Sequence, residues 1–321
     1  MKKKTLLPLL LVGLLSSCTG KIVTERVYFF DTVIDYKLID GNDLNKEDIN
    51  AIFKDFDGFS DNYRVRAGLI NVSTINATNE ELTIDPRLYD LLKTSFANSE
   101  IGATYFNPLC GSLAKAWKES LANKQVLDEA VITGELEKMN SSELLFKDNY
   151  VVQRVGEATI DLGGIAKGYV LDKVQEYLIS QNEKHYLVNA GYSSILLGEK
   201  DSDNGYFTVG IDSHIIPNSY LKLKNCFVST SSITEQGVKI SEEGPTYSHI
   251  INPTNGSAIN KHDAVIVISS KGYVGDILST SMVNNEIDEI KALEASQNVK
   301  CIVIDNQEIT YINSELEVLH R

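Results

Sequence analysis

The chain has 321 residues, 30 of them basic and 44 acidic, for a formal net charge of −14. So acidic a chain repels nucleic acid and has no electrostatic affinity for anionic lipid; an anionic ligand must be held by local groups or a metal. With 43% apolar residues the chain can bury the core of one large domain or two smaller ones, and its four cysteines show no Cys-x-x-Cys spacing that would suggest zinc.

The first stretch, MKKKTLLPLLLVGLLSSC, has a basic start, a short apolar run and a small-residue exit, the pattern of an export signal. The apolar run from Leu6 to Leu15 is too short to span a bilayer. Its ending, Leu15-Ser16-Ser17-Cys18, resembles the lipobox of bacterial lipoproteins, which predicts cleavage before Cys18 and acylation of that cysteine; a plain secretory signal is the alternative. Cleavage removes Lys2, Lys3 and Lys4, so the basic count falls to 27 and the net charge to −17. The expected organisation is a signal peptide over 1–17, a lipid-anchored tether over 18–24 and one domain over 25–321. Such a protein sits at the cell membrane, facing the extracytoplasmic side.

ERVYFFDTVIDYKLID, residues 25–40, is rich in β-branched and aromatic residues and reads as a strand or hairpin. Residues 43–56 read as a polar helix. Asp85 as N-cap and Pro86 at the first position start a helix over 85–98, with Leu88, Leu91, Leu92 and Phe96 near helical spacing. FNPLCGSLAKAW is a turn into a second short helix, and residues 118–150 read as helix plus loop. Beyond 150, VVQRV, HYLVNAG, YFTVGI, CFVSTS, AVIVISS, CIVID and ITYIN are strand-like, with helices over 164–180 and 275–297. Cys226 and Cys301 lie in such runs and read as small buried thiols. The fold class is α/β in the mixed α+β sense, with one continuous domain.

Four stretches bear on chemistry. In DLGGIAKGYVLDKV, residues 161–174, a helix starts near Gly164, because Ala166, Val170, Val174 and Leu178 recur every four residues. Free helix N-terminal amides, glycine and Lys167 together suit a phosphate, and a tight turn with a surface lysine is the competing reading. In GDILSTSM, Asp276 and Thr280 share a helix face and are hard oxygen ligands of the kind Mg²⁺ accepts, although Asp276 could simply be an N-cap. In YSHIINPTNGSAI, His249 precedes the turn formers Asn252, Pro253 and Gly256 and is a candidate general base or a structural histidine. In FVSTSSITEQ a strand ends in hydroxyls that bind phosphate or cap a helix.

The order of these motifs carries more information than any one of them. Phe30-Asp31-Thr32, Phe106-Asn107-Pro108 through Trp117, DLGGIAKGY, VNAG, VSTSS, SHIINPTNG and GDILST run in the sequence of the ApbE-like FAD:protein FMN transferases, and the chain resembles that family over nearly its whole mature length. The resemblance implies a single-domain α/β fold with a T-fold-like core, FAD as substrate and Mg²⁺ as cofactor. It implies transfer of FMN to a Thr or Ser hydroxyl of a partner protein, here an exported redox protein, with release of AMP. Carried over residue by residue, it puts the metal on the side chains of Asp276 and Thr280 and the main-chain carbonyl of Ala166. It places Gly164, Lys167, Thr230, Ser231 and Glu235 at the flavin and its phosphates, with Asp276 and His249 catalytic. The sequence departs from the family at Asn252 (usually Asp), Tyr192 (commonly Gly), Ser232 (Gly) and Gly275 (frequently Ala). The same metal and pocket leave open an FAD-hydrolysing enzyme with water as nucleophile, and the departures at Asn252, Tyr192 and Ser232 permit a non-catalytic flavin-binding lipoprotein; a structural lipoprotein that binds no flavin is a further alternative.

Overall fold

The computed structural model describes residues 22–39, 43–200, 205–211, 216, 218–233 and 237–320. Cys18 and Glu235 lie outside them. The chain opens with a hairpin, β1 (Ile22–Phe29) and β2 (Thr32–Ile39), so strand structure begins three residues inside the stretch expected to be a tether. Phe30 and Asp31 make its two-residue turn, both with positive φ, a backbone that keeps the right-handed twist of the strands.

Helix α1 (Asp43–Ser60) is followed by the short α2 (Val72–Asn76) and by β3 (Glu81–Thr83). In α3 (Pro86–Phe96) Asp85 caps as expected, its carboxylate accepting from the Arg87 amide at 2.9 Å, and Leu88, Leu91 and Leu92 form the buried face. After α4 (Asn98–Ile101), a single 3₁₀ turn at Pro108–Cys110 leads into α5 (Gly111–Ala122). The weakly patterned stretch that follows holds α6 (Glu129–Asn140) and an unexpected strand, β4 (Glu143–Lys147). VVQRV is β5 (Val151–Val155), which pairs with β4 and β3 in a small sheet of its own.

The rest of the chain adds six strands to the β1–β2 hairpin to complete the main sheet. Helix α7 (Ala166–Ser180) precedes β6 (Tyr186–Ala190) and β7 (Ser194–Leu197). Next come β8 (Phe207–Gly210), β9 (Ser219–Leu223), β10 (Cys226–Ser232), β11 (Val238–Lys239), β12 (Thr246–Tyr247) and β13 (Ala264–Ser269). The predicted helix over 275–297 is two helices, α8 (Gly272–Met282) and α9 (Ile287–Gln297). The break falls where Glu286 and Glu289 build a capping box that starts a new helix. The chain closes with β14 (Lys300–Asp305), β15 (Glu308–Ile312) and β16 (Leu319–His320).

Eight strands form an antiparallel sheet in the order β1-β2-β6-β7-β10-β13-β14-β15. One face buries Ile34, Val188, Leu196, Phe227, Val265 and Val267 in a core shared with α1, α7 and α8. By strand alternation the other face presents Leu197, Val228, Ile266 and Ile302 to Phe207, Leu221 and Leu223 of the three-stranded sheet β16-β9-β8. The face of α7 read from the sequence is the buried one, with Ala166, Val170, Val174 and Leu178 all in the core. A third cluster joins Leu113, Trp117 and Leu121 of α5 to Ile132, Tyr247, Ile251 and Ala258. It clamps the segment that carries His249.

Candidate functional site

The site lies where α7 and α8 cross. Gly168 and Gly272 meet backbone to backbone: a Cβ on Gly168 would come 2.2 Å from the Gly272 carbonyl and 2.8 Å from Cγ of Asp276. Only glycine allows that approach, and it delivers the first turn of α7 to the Asp276 carboxylate. The Gly168 amide donates to Oδ2 of Asp276 at 2.6 Å. Asp161 closes the preceding turn by accepting from the Gly163 amide at 2.7 Å, which accounts for the acid at the head of the motif. Gly164 lies against the next ligand candidate, since a Cβ there would stand 3.0 Å from Oγ1 of Thr280.

Asp276 is in the body of α8 rather than at its N-cap, and Thr280 follows one turn later. The cap of α8 is supplied by another helix: Asp172 of α7 accepts from the amides of Gly272 and Tyr273, both at 2.9 Å. Burial raises the Asp172 pKa to about 6 against the opposing pull of those two bonds. Burial also raises the pKa of Asp276, while Lys167, the hydroxyls of Ser229 and Ser194 and the Gly168 amide favour its charged form.

His249 stands open to solvent on one side. Desolvation by the protein around the rest of its ring, and then the charge of Lys167, push its pKa below the ordinary value. Lys167 thus acts on both His249 and Asp276, and the three groups share one electrostatic neighbourhood. The loop behind His249 is an Asx turn: Oδ1 of Asn252 accepts from the amide and hydroxyl of Thr254 at 2.9 and 2.7 Å. An asparagine oxygen makes these bonds as an aspartate would, so the departure at 252 leaves the turn intact. The loop is pinned by Trp117, whose Nε1 donates to the Gly256 carbonyl at 2.8 Å and whose ring stacks on Tyr247.

Along β10 the alternation of side chains divides the hydroxyl run. Ser229 and Ser231 face α8, Ser231 lying 3.0 Å from the Ser279 hydroxyl and 3.5 Å from that of Thr280. Thr230 takes the opposite face, opposite Ile266 in the register, so it does not join the Asp276–Thr280 group. Tyr192 has φ of +63°, directly after Gly191 at +67°. This is the left-handed region, which favours glycine over tyrosine.

The sequence reading missed the hydroxyls of Ser194 and Ser229, both bonded to Oδ1 of Asp276 at 2.9 and 2.7 Å. Alternation within FVSTSS singles out Ser229 and Ser231 as a pair; nothing local distinguishes Ser194. The donor set suits Mg²⁺: one carboxylate, one hydroxyl and a carbonyl at the start of α7 are hard oxygens that leave room for substrate phosphates.

A family model described as the ApbE family matches residues 30–303. The chain belongs to the ApbE family. Relatives include the FAD:protein FMN transferase of Klebsiella pneumoniae (strain 342), 27% identical over 267 residues, covering 79% of this chain and 81% of the relative. That of Treponema pallidum (strain Nichols) is 26% identical over 224 residues, covering 64% and 61%. Among solved structures, the ApbE protein of Thermotoga maritima superposes with a TM-score of 0.75 at 22% identity, covering 94% of this chain and 97% of that one. The flavin transferase ApbE from Vibrio cholerae gives 0.74 at 20%, covering 92% and 98%. The ApbE fold, expected from the order of motifs, is thus the fold of this chain.

Proposed function

We propose that this chain is a Mg²⁺-dependent FAD:protein FMN transferase, lipid-anchored through Cys18 and acting outside the cytoplasmic membrane on a Thr or Ser of an exported redox protein. The observation that carries the reading is the meeting of Asp276, Thr280, the first turn of α7, Lys167 and His249 in a member of the ApbE family. Names borne by relatives supply the reaction class.

Asp276, Thr280 and the Ala166 carbonyl hold the cation, which when bound neutralises charge on the FAD diphosphate. Lys167 faces the same phosphates. His249, kept neutral by its depressed pKa, takes the proton of the acceptor hydroxyl as that oxygen attacks the phosphorus on the FMN side. A new phosphoester bond forms to the acceptor, the P–O bond to the adenylate breaks, and AMP leaves. The solvent access of His249 gives water a route to the same phosphorus, so hydrolysis to FMN and AMP is the second reading.

The test incubates a soluble form beginning at Thr19 with FAD and Mg²⁺, with and without an exported redox domain bearing a candidate threonine. Mass spectrometry follows AMP, free FMN and acceptor mass. AMP together with an FMN-sized gain on the acceptor is expected. AMP with free FMN alone would make the protein a hydrolase, and FAD bound but returned intact would make it a flavin binder. Asp276→Ala is expected to abolish AMP release; turnover at the wild-type rate would remove Asp276 from the metal site.

A further inference from the structure

The two oxygens of Asp276 have different partners. Oδ1 accepts two hydroxyl bonds, from Ser194 at 2.9 Å and Ser229 at 2.7 Å. Oδ2 accepts one, from the Gly168 amide at 2.6 Å. An ionised carboxylate offers about four lone-pair positions, two on each oxygen. Oδ1 is therefore filled, and Oδ2, which meets α7 only through the Gly168 amide, keeps one position open.

The two serines reach one atom because they are partners in the sheet. Ser194 of β7 lies directly opposite Ser229 of β10, and both point to the face that α8 covers. Ser194 is 2% exposed, Ser229 1% and Asp276 6%, so water has little room to replace a lost donor. Space for the Ser229 hydroxyl depends on Gly275. A Cβ on residue 275 would fall 2.6 Å from Oγ of Ser229 and 2.8 Å from Oγ of Ser269, and the latter is already committed to the Lys271 carbonyl.

Resting on the metal reading above, we propose that Ser194 and Ser229 are positioning residues that lock Oδ1 of Asp276 and so commit Oδ2 alone to the metal, with Gly275 as the space that makes this lock possible. The bound divalent cation is then held by a single oxygen of the carboxylate. Loss of both hydroxyls frees the carboxylate to turn about its Cβ–Cγ bond and removes two donors that favour its charged form.

The experiment titrates Mn²⁺ alone against the mature protein and follows free Mn²⁺ by electron paramagnetic resonance. The series is wild type, Ser194→Ala, Ser229→Ala, the double variant, Gly275→Ala, Gly275→Ala with Ser229→Ala, and Asp276→Ala. Thermal melting and metal-free FAD affinity are recorded for each. Removing groups that orient a metal ligand characteristically weakens affinity by roughly 10–100-fold, and that is expected of the double serine variant, with FAD affinity unchanged. Wild-type Mn²⁺ affinity in the double variant, while Asp276→Ala loses binding, would overturn the proposal. If that variant does not fold, Ser194→Ala alone decides by the same titration. If wild type and Asp276→Ala bind Mn²⁺ equally, the metal site itself is wrong and this inference falls with it. The packing arm needs no metal: Gly275→Ala should lower the melting temperature, and less so when Ser229 is already alanine. Additive losses would overturn the role given to Gly275.

Discussion

His249 combines solvent access with a depressed pKa, and the causes, in order, are desolvation and the charge of Lys167. The neutral ring is the form that accepts a proton, so activity should fall on the acid side only below the ordinary histidine value of about 6.5. Lys167→Ala removes one of the two causes; the acid limb of a pH–rate profile should move to higher pH, and KM for FAD should rise as the phosphates lose a cation. A limb that stays in place would separate Lys167 from His249. Tyr192 is the second residue to test, because a tyrosine at φ of +63° is strained. Tyr192→Gly should stabilise the fold by roughly 0.5–1 kcal/mol, less than the full left-handed penalty because glycine is freer in the unfolded chain. Chemical denaturation measures it directly.

At the scale of elements, the crossing of α7 and α8 is held by backbone contact at Gly168 and Gly272 and by the Asp172 carboxylate on the first amides of α8. Asp172→Ala leaves those amides without their acceptor and should cost about 1–3 kcal/mol. Its pH dependence has a definite sign. The folded-state pKa of about 6 exceeds the unfolded carboxylate value, so the folded protein retains a proton the unfolded chain has released. The favourable contribution is complete below about pH 4 and is lost as pH rises through about 6. The stability of wild type relative to Asp172→Asn should fall over that window, by an amount on the order of 3 kcal/mol, in urea titrations at successive pH values. The His249 loop depends on α5 in the same way. Trp117→Phe keeps an aromatic ring but loses the bond to Gly256, and it should lower kcat more than it lowers stability. Trp117→Ala empties part of a buried cluster, for about 3–5 kcal/mol.

For the molecule as a whole, strands were legible wherever an apolar run stood between turn formers, as in β10, β13 and β14. Their arrangement was not, because the order β1-β2-β6-β7-β10-β13-β14-β15 comes from pairings distant in sequence. Strand β4 was lost in a charged stretch whose apolar residues, Leu144, Leu145 and Phe146, pair only with β5. The same division runs through the site. Asp276 and Thr280 could be read together because one helical turn separates them, and Gly164 and Lys167 because they flank the start of α7. Ser194 and Ser229 are made neighbours only by the β7–β10 pairing, and Asp172 serves a helix exactly one hundred residues on. The proposed attachment to the membrane belongs to this scale too. Among the described residues no helix is long and apolar enough to cross a bilayer. On the lipoprotein reading proposed above, Cys18→Ala should lose the acyl group, and mass spectrometry of the membrane-extracted protein should show that loss; an unchanged mass would remove Cys18 as the acylated residue.

The chain contains one tryptophan, and it is Trp117. Its indole is bonded to Gly256 and stacked on Tyr247, within the segment that carries His249. Indole emission from the unlabelled protein therefore comes from a single site, seated against the loop that carries His249. A change in intensity or wavelength when FAD or an acceptor domain is added reports on that loop, and stopped-flow mixing can time its response against the appearance of AMP.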